Sequence, residues 1–173
     1  AGLCRDMTQL LPEGEPFQST LIAAPPGAGK TTLLREMVAA LSNGSEERVP
    51  LRVGIVDERG ELAGMYRGVP QLDVGFHTDV LDSCPKTLGI PMLMRSANPQ
   101  VIAVDEITTA EDLTAMAAAA NCGVALLATI HALDEEELRR KPLYPVLAAS
   151  QVFRRLITIS VEAGQRRYQV RPL

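Results

Sequence analysis

The chain contains no tryptophan, and only three tyrosines and three phenylalanines among 173 residues. Hydrophobic residues make up 46 %, so a core is affordable but must be aliphatic. The chain lacks the cluster of aromatic side chains on which single-stranded nucleic acids stack. It also lacks an excess of positive charge. A formal net charge of −4 argues against a general nucleic-acid binder, which neutralises phosphates with Lys and Arg. Local basic clusters do occur at Arg139-Arg140-Lys141, Arg154-Arg155 and Arg166-Arg167; each reads first as solvated surface charge. The three cysteines, Cys4, Cys84 and Cys122, show no C-x-x-C spacing, which fits a reduced compartment better than a disulfide framework. Two histidines far apart argue against a structural zinc site. No run approaches the ~18 apolar residues of a membrane span, and no signal-peptide pattern is visible. What remains is the size and composition of one aliphatic-cored domain. It opens Ala-Gly-Leu without Met, so a segment upstream is expected.

Against these absences stands one strong presence. Residues 21–32 read Leu-Ile-Ala-Ala-Pro-Pro-Gly-Ala-Gly-Lys-Thr-Thr, an apolar strand running into a phosphate-binding loop. The pattern G-x-x-x-x-G-K-[ST] uses glycines so that backbone N–H groups turn inward around a phosphate. Its lysine reaches the outer phosphates, and its hydroxyl ligates Mg²⁺. Gly29, Lys30 and Thr31 fill the last three specified positions, and Ala24 replaces the usual first glycine. Pro25, Pro26 and Gly27 still open the turn, and Pro26, Gly27, Ala28, Gly29, Lys30, Thr31 and Thr32 are the candidate nucleotide-binding residues. Gly-Lys-Thr/Ser alone would arise by chance in roughly one chain in ten of this length; context discriminates. Ser19–Ala23 is β-compatible, and Leu33, Leu34, Met37, Val38 and Leu41 then share one helical face. Asn43-Gly44 closes that helix. The loop therefore lies at a helix N-terminus, which favours an anion.

Along the chain, strands and helices alternate, as in a parallel α/β sheet flanked by helices. Strands are expected near 19–23, 52–56, 100–104, 124–130 and 154–161. Helices are expected near 30–42, 90–97, 109–122, 134–141 and 144–150. Residues 57–89 read as a long, glycine-rich functional loop. Thr108-x-x-Glu111 predicts a capping box, Gly123 a helix end, and Pro91 a first helical turn. The tail predicts a hairpin, Leu156–Val161 and Tyr168–Val170 around Ala163-Gly164. Residues 1–12 read as a short amphipathic lead-in with Leu3, Met7, Leu10 and Leu11 apolar.

A second constellation complements the loop. Val101-Ile102-Ala103-Val104 ends in Asp105-Glu106, and a buried parallel strand delivers such acids to the ligand-binding edge. Asp105 is the candidate Mg²⁺ ligand with Thr31, and Glu106 the group that polarises an attacking water. The strand ending Ala128-Thr129-Ile130-His131 should lie between the first strand and the Asp-Glu strand, with Thr129 or His131 sensing the outer phosphate or orienting water. Asp57, Glu58 and Glu61 are candidates for the catalytic shell or for contact with a neighbour. Arg59, Arg67, Arg95 and Arg155 are candidates to stabilise phosphate charge, in cis or from another subunit.

The segments APPGAGKTTLLRE, VGIVDERGELAGMYRGVPQLDVGFHTDVLDSCPK, MRSANPQVIAVDEI and GVALLATIHA resemble, in that order, the stage III sporulation protein AA family, a branch of the secretion-type ATPases related to type II and type IV secretion motors. The second segment is the most diagnostic. The resemblance covers residue 17 to the end, so 1–16 reads as a lead-in and 17–173 as the ATPase domain of a longer chain. It implies a RecA-like P-loop core, ATP and Mg²⁺ as ligands, and a hexameric ring. It also implies the mother-cell cytoplasm of a spore former, beside a membrane-embedded complex facing the forespore; the acidic balance and the missing aromatic cluster add the expectation of no nucleic-acid partner. Lys30, Thr31, Asp105 and Glu106 match the family's phosphate-loop and hydrolysis residues. Glu58 and Glu61 fall in its acidic box, and Thr129 and His131 in its histidine box. After Asp-Glu-Ile the family tends to Gly-Arg, whereas this chain has Thr108-Thr109; a subunit contact through that arginine would need another residue here.

Overall fold

The structure, a computed structural model, describes residues 7, 9–12, 14–162 and 164–173. Seven strands, β1 (Thr20–Ala24), β2 (Val53–Asp57), β3 (Thr78–Asp82), β4 (Val101–Val104), β5 (Ala125–His131), β6 (Arg155–Glu162) and β7 (Gln165–Pro172), form one sheet in the order β3-β2-β4-β5-β1-β6-β7. Every neighbouring pair is parallel except β6 with β7, the C-terminal hairpin. The helices are α1 (Lys30–Asn43), α2 (Lys86–Ser96), α3 (Ala110–Asn121), α4 (Glu135–Arg140) and α5 (Tyr144–Ser150).

Period-2 alternation splits the core into two layers. On one face, Ile22 and Ala24 of β1 meet Leu33, Leu34, Met37, Val38 and Leu41 of α1, with Leu10 and Leu11 beneath. On the other, Leu21 and Ala23 meet Ile90 and Leu93 of α2, Leu113 and Met116 of α3, Leu138 and Leu147. The five apolar α1 residues are buried, each worth about 1.5–3 kcal/mol over exposure. That anchorage holds the loop preceding α1. Helix α2 comes unusually close to β2. A Cβ on Gly89 would lie 2.6 Å from Val56 Cγ1, and one on Gly54 2.8 Å from Leu93 Cδ1.

Four details depart from expectation. The stretch 57–89 is not all loop, because β3 lies within it as the sheet's edge strand. Its Thr-Asp-Val-Leu-Asp sequence is only partly buried, and edge strands carry charges that hide the apolar alternation. Helix α2 begins at Lys86, so Pro91 lies inside it, where it deprives the Thr87 carbonyl of its usual donor. The capping box is formed by Thr109 with Asp112, whose Oδ2 accepts from the N–H of Thr108 and of Thr109; the helix starts one residue later than Thr108-x-x-Glu111 implied. The hairpin strands are longer than expected, and Ala163, Leu3 and Cys4 lie outside the described residues.

Candidate functional site

The loop between β1 and α1 and the C-terminal ends of β4 and β5 converge on a cleft of about 400 Å³. Its lining comprises Pro26, Gly27, Gly29, Lys30, Thr31, Thr32, Arg59, Glu61, Asp105, Glu106, His131 and Arg166. Gly27 and Gly29 adopt φ of 74° and 98°, a region that favours glycine. The first helical bond runs from Leu33 N–H to the Gly29 carbonyl at 2.9 Å, so the first-turn N–H groups have no intrahelical acceptor. Ala28 packs in the core instead of lining the cleft.

Lys30 is buried. Its Nζ donates to the Pro25 carbonyl at 3.0 Å and meets His131 Nδ1 at 2.9 Å. Burial pushes the ammonium below the ordinary lysine value, and the Asp105 and Glu106 carboxylates pull it partly back. His131 Nε2 faces Glu106 Oε1 at 3.1 Å. The tautomer with its proton on Nε2 satisfies both contacts. Glu106 Oε2 accepts from Arg59 at 2.6 Å. Lysine, histidine, glutamate and arginine thus form one chain across the cleft.

The two strand tips are locked together by Thr129, which is fully buried. Its hydroxyl accepts from Glu106 N–H at 2.8 Å and donates to Asp105 Oδ1 at 2.5 Å. Ile107 N–H donates to the Thr129 carbonyl at 2.8 Å. Thr31 Oγ1 donates to the other Asp105 oxygen at 2.9 Å. Glu106 itself sits at φ 49°, rare for a residue with a side chain and common where strain serves a site. Thr31 and Asp105 fit a Mg²⁺ site, since that ion takes one or two protein oxygens and completes its shell with water and phosphate.

Other residues singled out in the sequence lie elsewhere. Asp57 is buried and accepts from the N–H groups of Glu61, Leu62 and Ala63 at 2.9, 3.0 and 2.9 Å, so it folds the turn that carries Arg59 and Glu61. Glu58 pairs with the buried Lys86, outside the cleft lining. Arg67 lies 5.3 Å over the Tyr66 ring, and Arg95 is in the last turn of α2. Arg155 pairs in register with Thr20, at the sheet edge opposite the loop, and donates to the Leu10 carbonyl at 3.0 Å. Conversely, Arg166 lines the cleft and was not among the arginines selected from sequence. Only the placement of β6 beside β1 reveals it.

The family profile described as Sporulation stage III, protein AA matches residues 2–170. The stage III sporulation protein AA of Bacillus subtilis (strain 168) is 41 % identical over 146 residues, 84 % of this chain and 48 % of that protein. The chain thus spans about half the length of this curated relative. Among solved structures, the ATPase DotB of Legionella pneumophila superposes with a TM-score of 0.65 at 19 % identity, over 92 % of this chain and 46 % of that one. The VirB11 ATPase of the Brucella suis type IV secretion system, solved with sulphate, gives 0.63 at 16 % identity, over 97 % and 50 %. The fold is that of the RecA-like P-loop ATPases.

Proposed function

Because the chain belongs to the stage III sporulation protein AA family, we propose that this cleft binds ATP with Mg²⁺ and hydrolyses its terminal phosphoanhydride bond, energising a membrane-associated complex between mother cell and forespore. The observation that carries this reading is the joining of Thr31 to Asp105, at 2.9 Å, beside Lys30 and Glu106 in one cleft. The residues fit the roles. Lys30 is a desolvated cation that gains from a nearby anion. The first-turn N–H groups of α1 add donors and a favourable dipole. Thr31 and Asp105 would hold the metal, which when bound neutralises charge on the phosphate oxygens. Glu106 accepts a proton from water as the water oxygen bonds to the γ-phosphorus. The bond to the bridging oxygen breaks, leaving ADP and phosphate. Thr129 fixes the backbone from which Glu106 projects.

The domain acts in a homo-oligomeric ring at the membrane surface, a reading supported by the family resemblance. Among the described residues no helix is long and apolar enough to cross a membrane. A second reading, a nucleotide-dependent assembly scaffold with little hydrolysis, is favoured by one contact pattern: both Glu106 oxygens are already engaged, by Arg59 and His131. Mg²⁺-dependent turnover, measured across protein concentration for the wild type and Glu106→Gln, separates the two. Turnover lost in the variant, and rising per molecule with concentration, supports the ring ATPase. Tight ATP binding with no wild-type turnover in the full-length protein supports the scaffold.

A further inference from the structure

The β6–β7 hairpin brings a cation to the phosphate loop that the reading above does not use. In register, Ala23 of β1 lies beside Thr158, while β6 continues to Glu162. Arg166 pairs with Val161 on the returning strand. The end of the hairpin therefore extends past the tip of β1, alongside the loop. A Cβ on Gly29 would lie 2.7 Å from the Arg166 guanidinium carbon and 2.8 and 2.9 Å from two of its nitrogens. Only a residue without a side chain allows this approach.

The charge balance of the cleft depends on this residue. Its lining includes three cations, Lys30, Arg59 and Arg166, and three acids, Glu61, Asp105 and Glu106. Without Arg166 a polyanion would face a net negative wall. The Arg166 side chain is exposed, so its guanidinium can turn without disturbing the core, and its planar fork of donors matches phosphate oxygens. Its charge also acts on Glu36 of α1, whose Oε2 is buried without a hydrogen-bond partner among the described residues.

We propose that Arg166 is a phosphate-contacting residue supplied in cis by the hairpin, gripping the phosphate chain of the nucleotide from the side opposite Arg59 in sequence and sheet order. This rests on the nucleotide-binding reading and adds a residue to it. The test is calorimetric titration of Mg·ATP, and of inorganic tripolyphosphate competing with it, into the wild type, Arg166→Ala, Arg166→Lys and Lys30→Ala. Arg166→Ala should weaken both probes by about tenfold, the scale of one charge-assisted hydrogen bond. Arg166→Lys should recover part of the loss, with melting temperatures unchanged. Wild-type affinity in Arg166→Ala would overturn the inference, while loss of binding in Lys30→Ala alone would keep the nucleotide reading intact. Weakened ATP binding with unchanged tripolyphosphate competition would place Arg166 at the base or ribose and also overturn it. Absence of binding by the wild type would overturn both.

Discussion

Replacing Thr129 by valine would remove a hydroxyl while keeping the side-chain shape, and the cost can be worked from the contacts. The Glu106 N–H, 2.8 Å from Thr129 Oγ1, would lose its acceptor beside a residue that is fully buried. Leaving such a donor unpaired costs about 1–3 kcal/mol. Asp105 Oδ1 would lose a donor 2.5 Å away. Asp105 is only partly buried, so water replaces much of that bond and about 1 kcal/mol is the reasonable share. Thr129→Val should therefore destabilise the domain by roughly 2–4 kcal/mol. Thr129→Ser keeps both bonds and loses one methyl group, about 1 kcal/mol. Urea denaturation without nucleotide at pH 7 reads both values. The same variants assayed for turnover should fall in the same order, since the strained Glu106 backbone is held by that hydroxyl. A valine variant as stable as the serine variant would refute the idea that Thr129 is there for its oxygen.

Gly89→Ala should destabilise, although alanine is normally the better helix former by about 1 kcal/mol; the new methyl would lie 2.6 Å from Val56 Cγ1, and a lowered melting temperature checks this. Glu58→Gln should lower stability by about 1–3 kcal/mol, because it leaves the buried Lys86 without its carboxylate; urea midpoints compared with Glu58→Gln/Lys86→Met would show whether the loss comes from the stranded cation. Burial holds Glu36 above its ordinary value of 4.5, against the pull of Arg166 and Arg35. A raised folded value means Glu36 favours folding most when protonated, and that contribution is lost as pH rises from 4.5 through the folded value. Glu36→Gln should thus raise the unfolding free energy read from urea curves at pH 7 by a few tenths of a kcal/mol, screening being considerable at a part-exposed carboxylate, with the advantage gone by about pH 4; an advantage that grows in acid would contradict the burial argument.

The glycine-rich loop between β1 and α1, the Asp105-Glu106 strand end and the position of β5 were legible because each is a local pattern tied to a topological rule. Apolar runs mark buried parallel strands, and polar tips mark their ligand edge. What escaped was non-local. Strand β3 is partly exposed and acidic, so no alternation announced it. Glu58 and Asp57 are adjacent acids in sequence, yet one pairs with Lys86 and the other binds three backbone N–H groups; Asp57 closes β2 and Glu58 begins the bend after it, and only packing tells which acid meets which partner. Arg155 and Arg166 stand on the same hairpin, but strand direction takes one to each end of the sheet. Arginine in sequence carries no such address.

The left-handed backbone of Glu106 sets the domain's evolvability against its chemistry. Glycine or asparagine would relax that φ at a gain of about 1 kcal/mol or more, and each would erase the carboxylate. A laboratory selection for thermal stability alone would be drawn to this codon early, and its winners would be sturdier proteins without the carboxylate proposed to act on water. A designer wishing to harden the domain should therefore fix residue 106 first and look for gains elsewhere.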